Sequence, residues 1–241
     1  MASVSIDHEG LQAYHNQLWF ELRDLACLYA SLCAHHQEQT EAAVARAMLF
    51  LFFGAMETSV KVIASSCLMI SEDFVKRERG ETAEAGDVPP ELTKYLSAEP
   101  VRALTKPEEL FLREEAITIG SRNFTEQVRP RFGSFEARLV GVPTIYGRLF
   151  GVELCVDKST RAWHLLQRLK TLRDVGAHGS IQKAEGESGI VTREDLTDLL
   201  LARKWFCQQL CTLPWLALAE AEGEIKAIDS LLSLLESRKG R

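Results

Sequence analysis

The most apolar part of the chain is residues 42–70, AAVARAMLFLFFGAMETSVKVIASSCLMI. Its run MLFLFF is apolar on every side of a helix, which is typical of a central helix packed on several faces. Three charged residues, Arg46, Glu57 and Lys61, interrupt the stretch, whereas a membrane-spanning helix needs about 20 apolar residues with few or no charges. We therefore expect a buried core helix over residues 41–70 and no membrane insertion.

Helical patterning extends outward from this stretch in both directions. Apolar residues at spacings of three and four predict a first amphipathic helix over residues 8–36 and a last one over residues 215–235. Thr105 precedes Glu108, and Thr192 precedes Asp195, by the three positions of a helix-capping box. They predict two further helix starts, with the first of these helices ending at Gly120. The predicted fold class is all-α.

Residues 121–157 break this pattern. They are rich in glycine and proline, and they include β-prone residues such as Val140, Val142, Ile145 and Tyr146. We expect either an irregular insertion or a short hairpin here.

The predicted domain organisation has three parts. Residues 1–39 form an extra N-terminal helix packed on the bundle, 40–213 form the helical domain with the insertion, and 214–241 form a C-terminal helical tail.

Composition excludes several classes of protein. A formal net charge of −6 rules out a general cationic coat for nucleic acid, so a surface for polyanions has to be local. The six cysteines form no CxxC pair, and no Walker loop, GxGxxG, GxSxG or HExxH is present. We expect no metal and no cofactor. The N-terminus lacks the pattern of a secretory signal, and cysteines without a disulfide framework suit a reducing compartment, so the expected location is the cytoplasm.

One segment carries a recognisable chemical motif, LKTLRDVGAHGS at residues 169–180. It follows a helical pattern that begins near Ser159, and it places His178 five positions after Arg173. With these residues the chain resembles the HEPN family, whose motif is arginine, often followed by a polar residue, and then histidine after a four-to-six-residue spacer. The resemblance covers roughly residues 40–213 and implies an up-and-down helical bundle.

The spacing sets a geometric condition on this motif. Five positions on an ideal helix separate two side chains by about 140°. Gly176 lies between Arg173 and His178, and Gly179 follows, so we expect the helix to loosen or end inside the motif. The alternative is that His178 simply caps the carboxyl end of the helix, where a cationic histidine is favoured.

The resemblance implies a metal-independent endoribonuclease of the toxin or defence type. His178 would exchange protons with the ribose 2′-OH or the 5′-oxygen, and Arg173 would stabilise the phosphate charge. Asp174 and Glu57 would orient them, although Glu57 fits a structural ion pair equally well. The resemblance also implies that two motifs meet across a homodimer. Ser180 stands where nucleotidylated members carry tyrosine, so that form of regulation is not expected.

Basic residues concentrate in the segment leading into the motif. Residues 122–173 carry a net charge of +6, which leaves −12 for the remainder of the chain. RNA is the expected partner, with Arg161, Arg168 and Lys170 as the nearest backbone contacts. Surface arginines on a solvated loop are an equally good explanation of the same window.

A second class of function remains open on the sequence. The acidic remainder and the amphipathic tail also suit a non-catalytic module of the same fold that binds a protein or RNA. An antitoxin or another regulatory protein is a possible partner in either case.

Overall fold

A computed structural model describes residues 8–35, 37–78, 100–116, 135–151, 158–178, 191–210 and 216–237. Every regular element within these residues is a helix, which confirms the all-α prediction. In chain order the helices are α1 His8–Ala34, α2 Glu38–Glu78, α3 Lys106–Ala116, α4 Phe135–Leu149, α5 Arg161–His178, α6 Arg193–Leu210 and α7 Leu216–Glu236.

The central apolar helix forms as predicted and is longer than the pattern indicates. Predicted over residues 41–70, α2 extends to Glu38–Glu78. By length and composition it is apolar enough to cross a membrane over Gln39–Lys76, but 67% of its most apolar window is buried inside the structure. That burial is the pattern of a core helix.

Both predicted helix starts are capped by the acidic residue three positions after the threonine, and at α6 the bonds are reciprocal. The Glu108 carboxylate accepts hydrogen bonds from the Thr105 backbone N–H at 3.0 Å and from the Thr105 hydroxyl at 2.9 Å. At α6, the Asp195 carboxylate accepts from the Thr192 N–H at 2.8 Å, and the Thr192 hydroxyl oxygen accepts from the Asp195 N–H at 3.2 Å. These bonds satisfy backbone donors that the first helical turn leaves without partners.

The predicted insertion is the main correction to the fold. Residues 135–149 form helix α4, so the expectation of an irregular or hairpin-like segment is wrong there, and residues 117–134 and 152–157 lie outside the described residues. Leu139, Val142 and Tyr146 are fully buried and recur at helical spacing. Burial of this face outweighs the cost of Pro143 inside the helix, which is about 3 kcal/mol in a helix interior.

The chain divides into two compact units that interleave along the sequence. The first unit comprises Met1–His15, Glu57–Val156 and Gln209–Glu220, and the second comprises Asn16–Met56, Asp157–Gln208 and Ala221–Arg241. Neither unit coincides with the segments 1–39, 40–213 and 214–241, because α1 and α2 each contribute to both.

The first unit packs α4 closely against α3. A Cβ placed on Gly141 would lie 2.9 Å from the Phe111 ring, so a larger residue at this position would require the ring to move. Helix α4 ends at Leu149, and Gly151, two residues later, has a φ of +70° that suits a glycine cap. The last turn of α4 is tied to the loop before α3 by a hydrogen bond from the Val101 N–H to the Leu149 carbonyl at 2.9 Å.

The second unit has a core of helical side chains from five helices. Its fully buried members include Leu22 on α1, Phe52 on α2, Leu169 on α5, Phe206 on α6 and Ile228 on α7. The motif helix α5 belongs to this unit, so the second unit holds Arg173 and His178.

Candidate functional site

Helix α5 carries the motif at its carboxyl end. The hydroxyl of Thr160 accepts a hydrogen bond from the Trp163 N–H at 3.2 Å and caps the start of the helix. Trp163, Leu166 and Leu169 form its buried side. The helix runs without a break through Gly176 and ends at His178, so it ends at the last residue of the motif and does not loosen between Arg173 and His178.

Arg173 is half-buried against an aromatic ring of α2. Its guanidinium carbon lies 4.7 Å from the centre of the Phe53 ring, and Phe53 is itself 1% exposed. A cation over an aromatic face is attracted by the ring quadrupole, by about 0.5–2 kcal/mol depending on exposure. This contact limits the positions that a long arginine side chain can adopt at the end of the helix.

The other residues of the predicted catalytic set are not brought together within the described structure. The side chains of Asp174 and His178 lie outside it, although both backbones belong to α5. Because the helix is regular, the Cα atoms of Arg173 and His178 are about 140° apart around its axis. Glu57 is half-buried on α2 and belongs to the first unit, so the structure relates it to neither motif residue.

Arg168 is held by the next helix. Its guanidinium donates to Asp195 at 2.6 Å and to Asp198 at 3.2 Å. Burial by itself raises the pKa of the Asp195 carboxyl, but hydrogen bonds from Thr192 and Arg168 more than offset this, and the pKa lies below its ordinary value. Arg168 therefore joins α5 to the cap of α6, and an RNA phosphate would have to compete with two carboxylates for it.

Arg161 and Lys170 differ in their exposure. Arg161 is exposed in the first turn of α5, whereas Lys170 is half-buried. Arg161, His164, Arg168 and Thr171 are all exposed and lie on one face of the helix. Of the three predicted RNA contacts, Arg161 is the most accessible.

The sequence analysis missed a buried ionic cluster in the second unit. Arg203 on α6 is fully buried and pairs with Glu224 on α7, which also accepts from the Trp19 indole at 3.2 Å and the Cys207 thiol at 2.9 Å. The Arg203 guanidinium carbon lies 5.4 Å from the centre of the Trp19 ring. The sequence contains one indication of this cluster. Arg203 falls on the apolar face of the α6 pattern, where a charged side chain has to be paired.

Among the residues whose positions the structure gives, no group of three or more histidine, cysteine, aspartate or glutamate side chains could hold a metal ion.

Comparisons of the chain with protein-family models, with curated proteins and with solved structures find no match.

Proposed function

We propose that the chain is a metal-independent endoribonuclease of the HEPN toxin or defence type. The observation that carries the proposal is the motif Arg173–His178 in the final turns of a helix, with the arginine fixed over a buried ring. The motif arginine and histidine are the residue types that phosphate stabilisation and proton transfer near neutral pH require.

The proposed reaction needs one base, one acid and a cation. The His178 imidazole takes the proton from the ribose 2′-OH, whose oxygen attacks the adjacent phosphorus. The guanidinium of Arg173 stabilises the negative charge that builds on the phosphate oxygens. The 5′-oxygen leaves with a proton from a second histidine, which in this proposal is His178 of a second copy. The products are a 2′,3′-cyclic phosphate and a 5′-OH.

The contact with Phe53 supports the role of Arg173. An arginine that is already restricted loses less conformational freedom when it binds a phosphate. Because the helix is continuous, the Cα atoms of Arg173 and His178 of one motif lie about 140° apart around its axis, and this separation suits a site to which two motifs contribute.

The alternative is a non-catalytic module of the same fold that binds a protein or RNA. Its protein-binding form is favoured by the pairing of Arg168 with Asp195 and Asp198, since that pairing removes one of the basic contacts expected for RNA. In both proposals the chain works in the cytoplasm.

The experiment compares RNA cleavage by the wild type with that by His178→Ala, Arg173→Lys and His164→Ala. His164 is an exposed histidine on the same helix and serves as the matched control. We expect cleavage to be lost in His178→Ala and Arg173→Lys, because a point ammonium cannot replace the planar fork of arginine. His164→Ala should retain the wild-type rate.

Thermal melting of the same proteins separates chemistry from stability. Equal melting temperatures with cleavage lost only in the motif variants support the proposal. A wild type that binds RNA without cleaving it would replace the proposal with the non-catalytic alternative. Cleavage that survives in His178→Ala would refute the role proposed for His178.

A further inference from the structure

An open apolar groove lies in the second unit between α1 and α7. Its volume is about 460 Å³. Trp19 and Cys27 line it from α1, and Ala227, Leu231 and Leu234 line it from α7. A concave apolar surface of this size, open to solvent, is a candidate interface.

A protruding aromatic ring stands on the same surface. Phe20 also lines the groove, yet it is 59% exposed, with the Arg23 guanidinium carbon 5.3 Å from its ring centre. One surface therefore presents both an exposed aromatic ring and an apolar groove. In a dimer with a two-fold axis over this surface, each copy inserts its Phe20 into the groove of the other. An unrelated partner would need an apolar side chain of its own to fill the groove.

The charges beside the groove also suit a second copy of the chain. The side chains of Arg23 and Asp24 are 61% and 74% exposed, and their closest approach to each other is 3.5 Å. Arg23 lines the groove and Asp24 is its neighbour on α1. Opposite charges at adjacent exposed positions are self-complementary, since a two-fold axis allows Arg23 of each copy to meet Asp24 of the other in place of its own.

We propose that this groove is a self-association surface whose occupant is a second copy of the chain, with Phe20 as the anchor. Aromatic anchors in desolvated pockets contribute most of the binding energy of such interfaces. The proposal does not depend on RNA cleavage, because it concerns α1 and α7 and not the motif.

The test measures molar mass by light scattering at tens of micromolar protein, without RNA. We expect Phe20→Asp to halve the mass of the wild type, because an aspartate cannot enter an apolar groove. Leu201→Asp is the matched control: Leu201 is 45% exposed in the same unit but does not line the groove, so the mass should not change. Halving is expected whether the wild type is a dimer or, if motifs also join copies, a tetramer.

A second variant excludes a general effect of removing apolar surface. Ala227→Trp fills the groove while keeping it apolar, and it should also halve the mass. In the wild type, alkylation of the exposed Cys27, followed by peptide mass spectrometry, should slow as the protein concentration rises.

Three results overturn the proposal: a monomeric wild type, an unchanged mass in both Phe20→Asp and Ala227→Trp, or equal halving in Leu201→Asp. If the groove binds a smaller apolar ligand or a different protein, the wild type should be monomeric. Failure of the proposed ribonuclease activity would leave the measured masses unchanged, so the two proposals fail independently.

Discussion

Glu224 is the carboxylate at which three side chains of the second unit meet. It accepts from Arg203, Cys207 and Trp19, and its side chain is 10% exposed. Two charges taken out of water are costly, so such a pair contributes little net stability compared with apolar residues of the same volume. Removing one partner is different, because the other charge then stays buried without compensation.

We expect Glu224→Gln to lower the free energy of unfolding by about 3 kcal/mol. The amide keeps the volume and one acceptor, but it removes the negative charge that pairs with the buried Arg203. Asp229→Asn is the control on the same helix. Asp229 pairs with Lys204, but its side chain is 50% exposed, so this substitution should change the free energy of unfolding by less than about 1 kcal/mol. Urea unfolding measures the free energy of unfolding of both variants. Equal losses would show that burial of the Glu224 pair does not make its removal more costly.

At the scale of single elements, the acidic residue that caps α3, Glu108, also forms an ion pair. Glu108 is bonded by Arg102 at 2.7 and 2.9 Å, in addition to Thr105. The hydrogen bonds from Arg102, aided by those from Thr105 and opposed by burial, lower the pKa of the Glu108 carboxyl to about 2 from 4.5. This carboxylate therefore contributes stability above its unfolded pKa.

We expect that contribution to be lost as the pH falls from about 4.5 to about 2, because protonation of Glu108 breaks its bonds. The wild type should lose up to about 3 kcal/mol over this range through Glu108 alone. Glu108→Gln should be less stable at neutral pH and should show a shallower loss in acid. Glu109→Gln is the control, because the Glu109 side chain is 45% exposed in its pair with Arg113. Urea unfolding across this pH range distinguishes the two variants.

Two helical glycines provide a second comparison between elements. Gly223 in α7 has open space where a Cβ would lie, whereas the Cβ of an alanine at position 141 in α4 would meet the Phe111 ring. Gly223→Ala should raise stability by about 0.5–1 kcal/mol, since alanine restricts the unfolded chain. Gly141→Ala should lower it by about 1 kcal/mol, because the ring has to move.

Melting temperatures measure both glycine variants. Combining Gly141→Ala with Phe111→Leu should recover part of the loss if the ring is the obstacle. Stabilisation by Gly141→Ala alone would show that Phe111 moves aside without cost.

At the scale of the whole molecule, the proposed site requires two chains. If each site uses His178 from both copies, an excess of His178→Ala chains should suppress wild-type cleavage once subunits exchange. Activity should then follow the fraction of wild-type pairs. The same excess of His164→Ala chains should leave activity unchanged, and equal activity in both mixtures would show that one chain suffices.

The fold was predictable where the signals are local. The capping boxes at Thr105 and Thr192 use residues three positions apart, and their hydrogen bonds form within a single turn. The apolar periods of α1 and α2 likewise lie within continuous sequence. Helix α4 was not predictable, because Pro143 and the nearby glycines oppose a helix locally while its buried face depends on the rest of the first unit.

The sequence by itself determined the all-α class and the order of most helices, and it predicts Arg173 and His178 as the motif residues. The tertiary structure alone decided which side chains meet: Phe53 under Arg173, two aspartates on Arg168, and Glu224 on the buried Arg203. The physical reason is the range of the interactions. Helix formation and capping depend on neighbours within one or two turns, whereas burial and charge pairing depend on residues that packing brings together from distant parts of the chain.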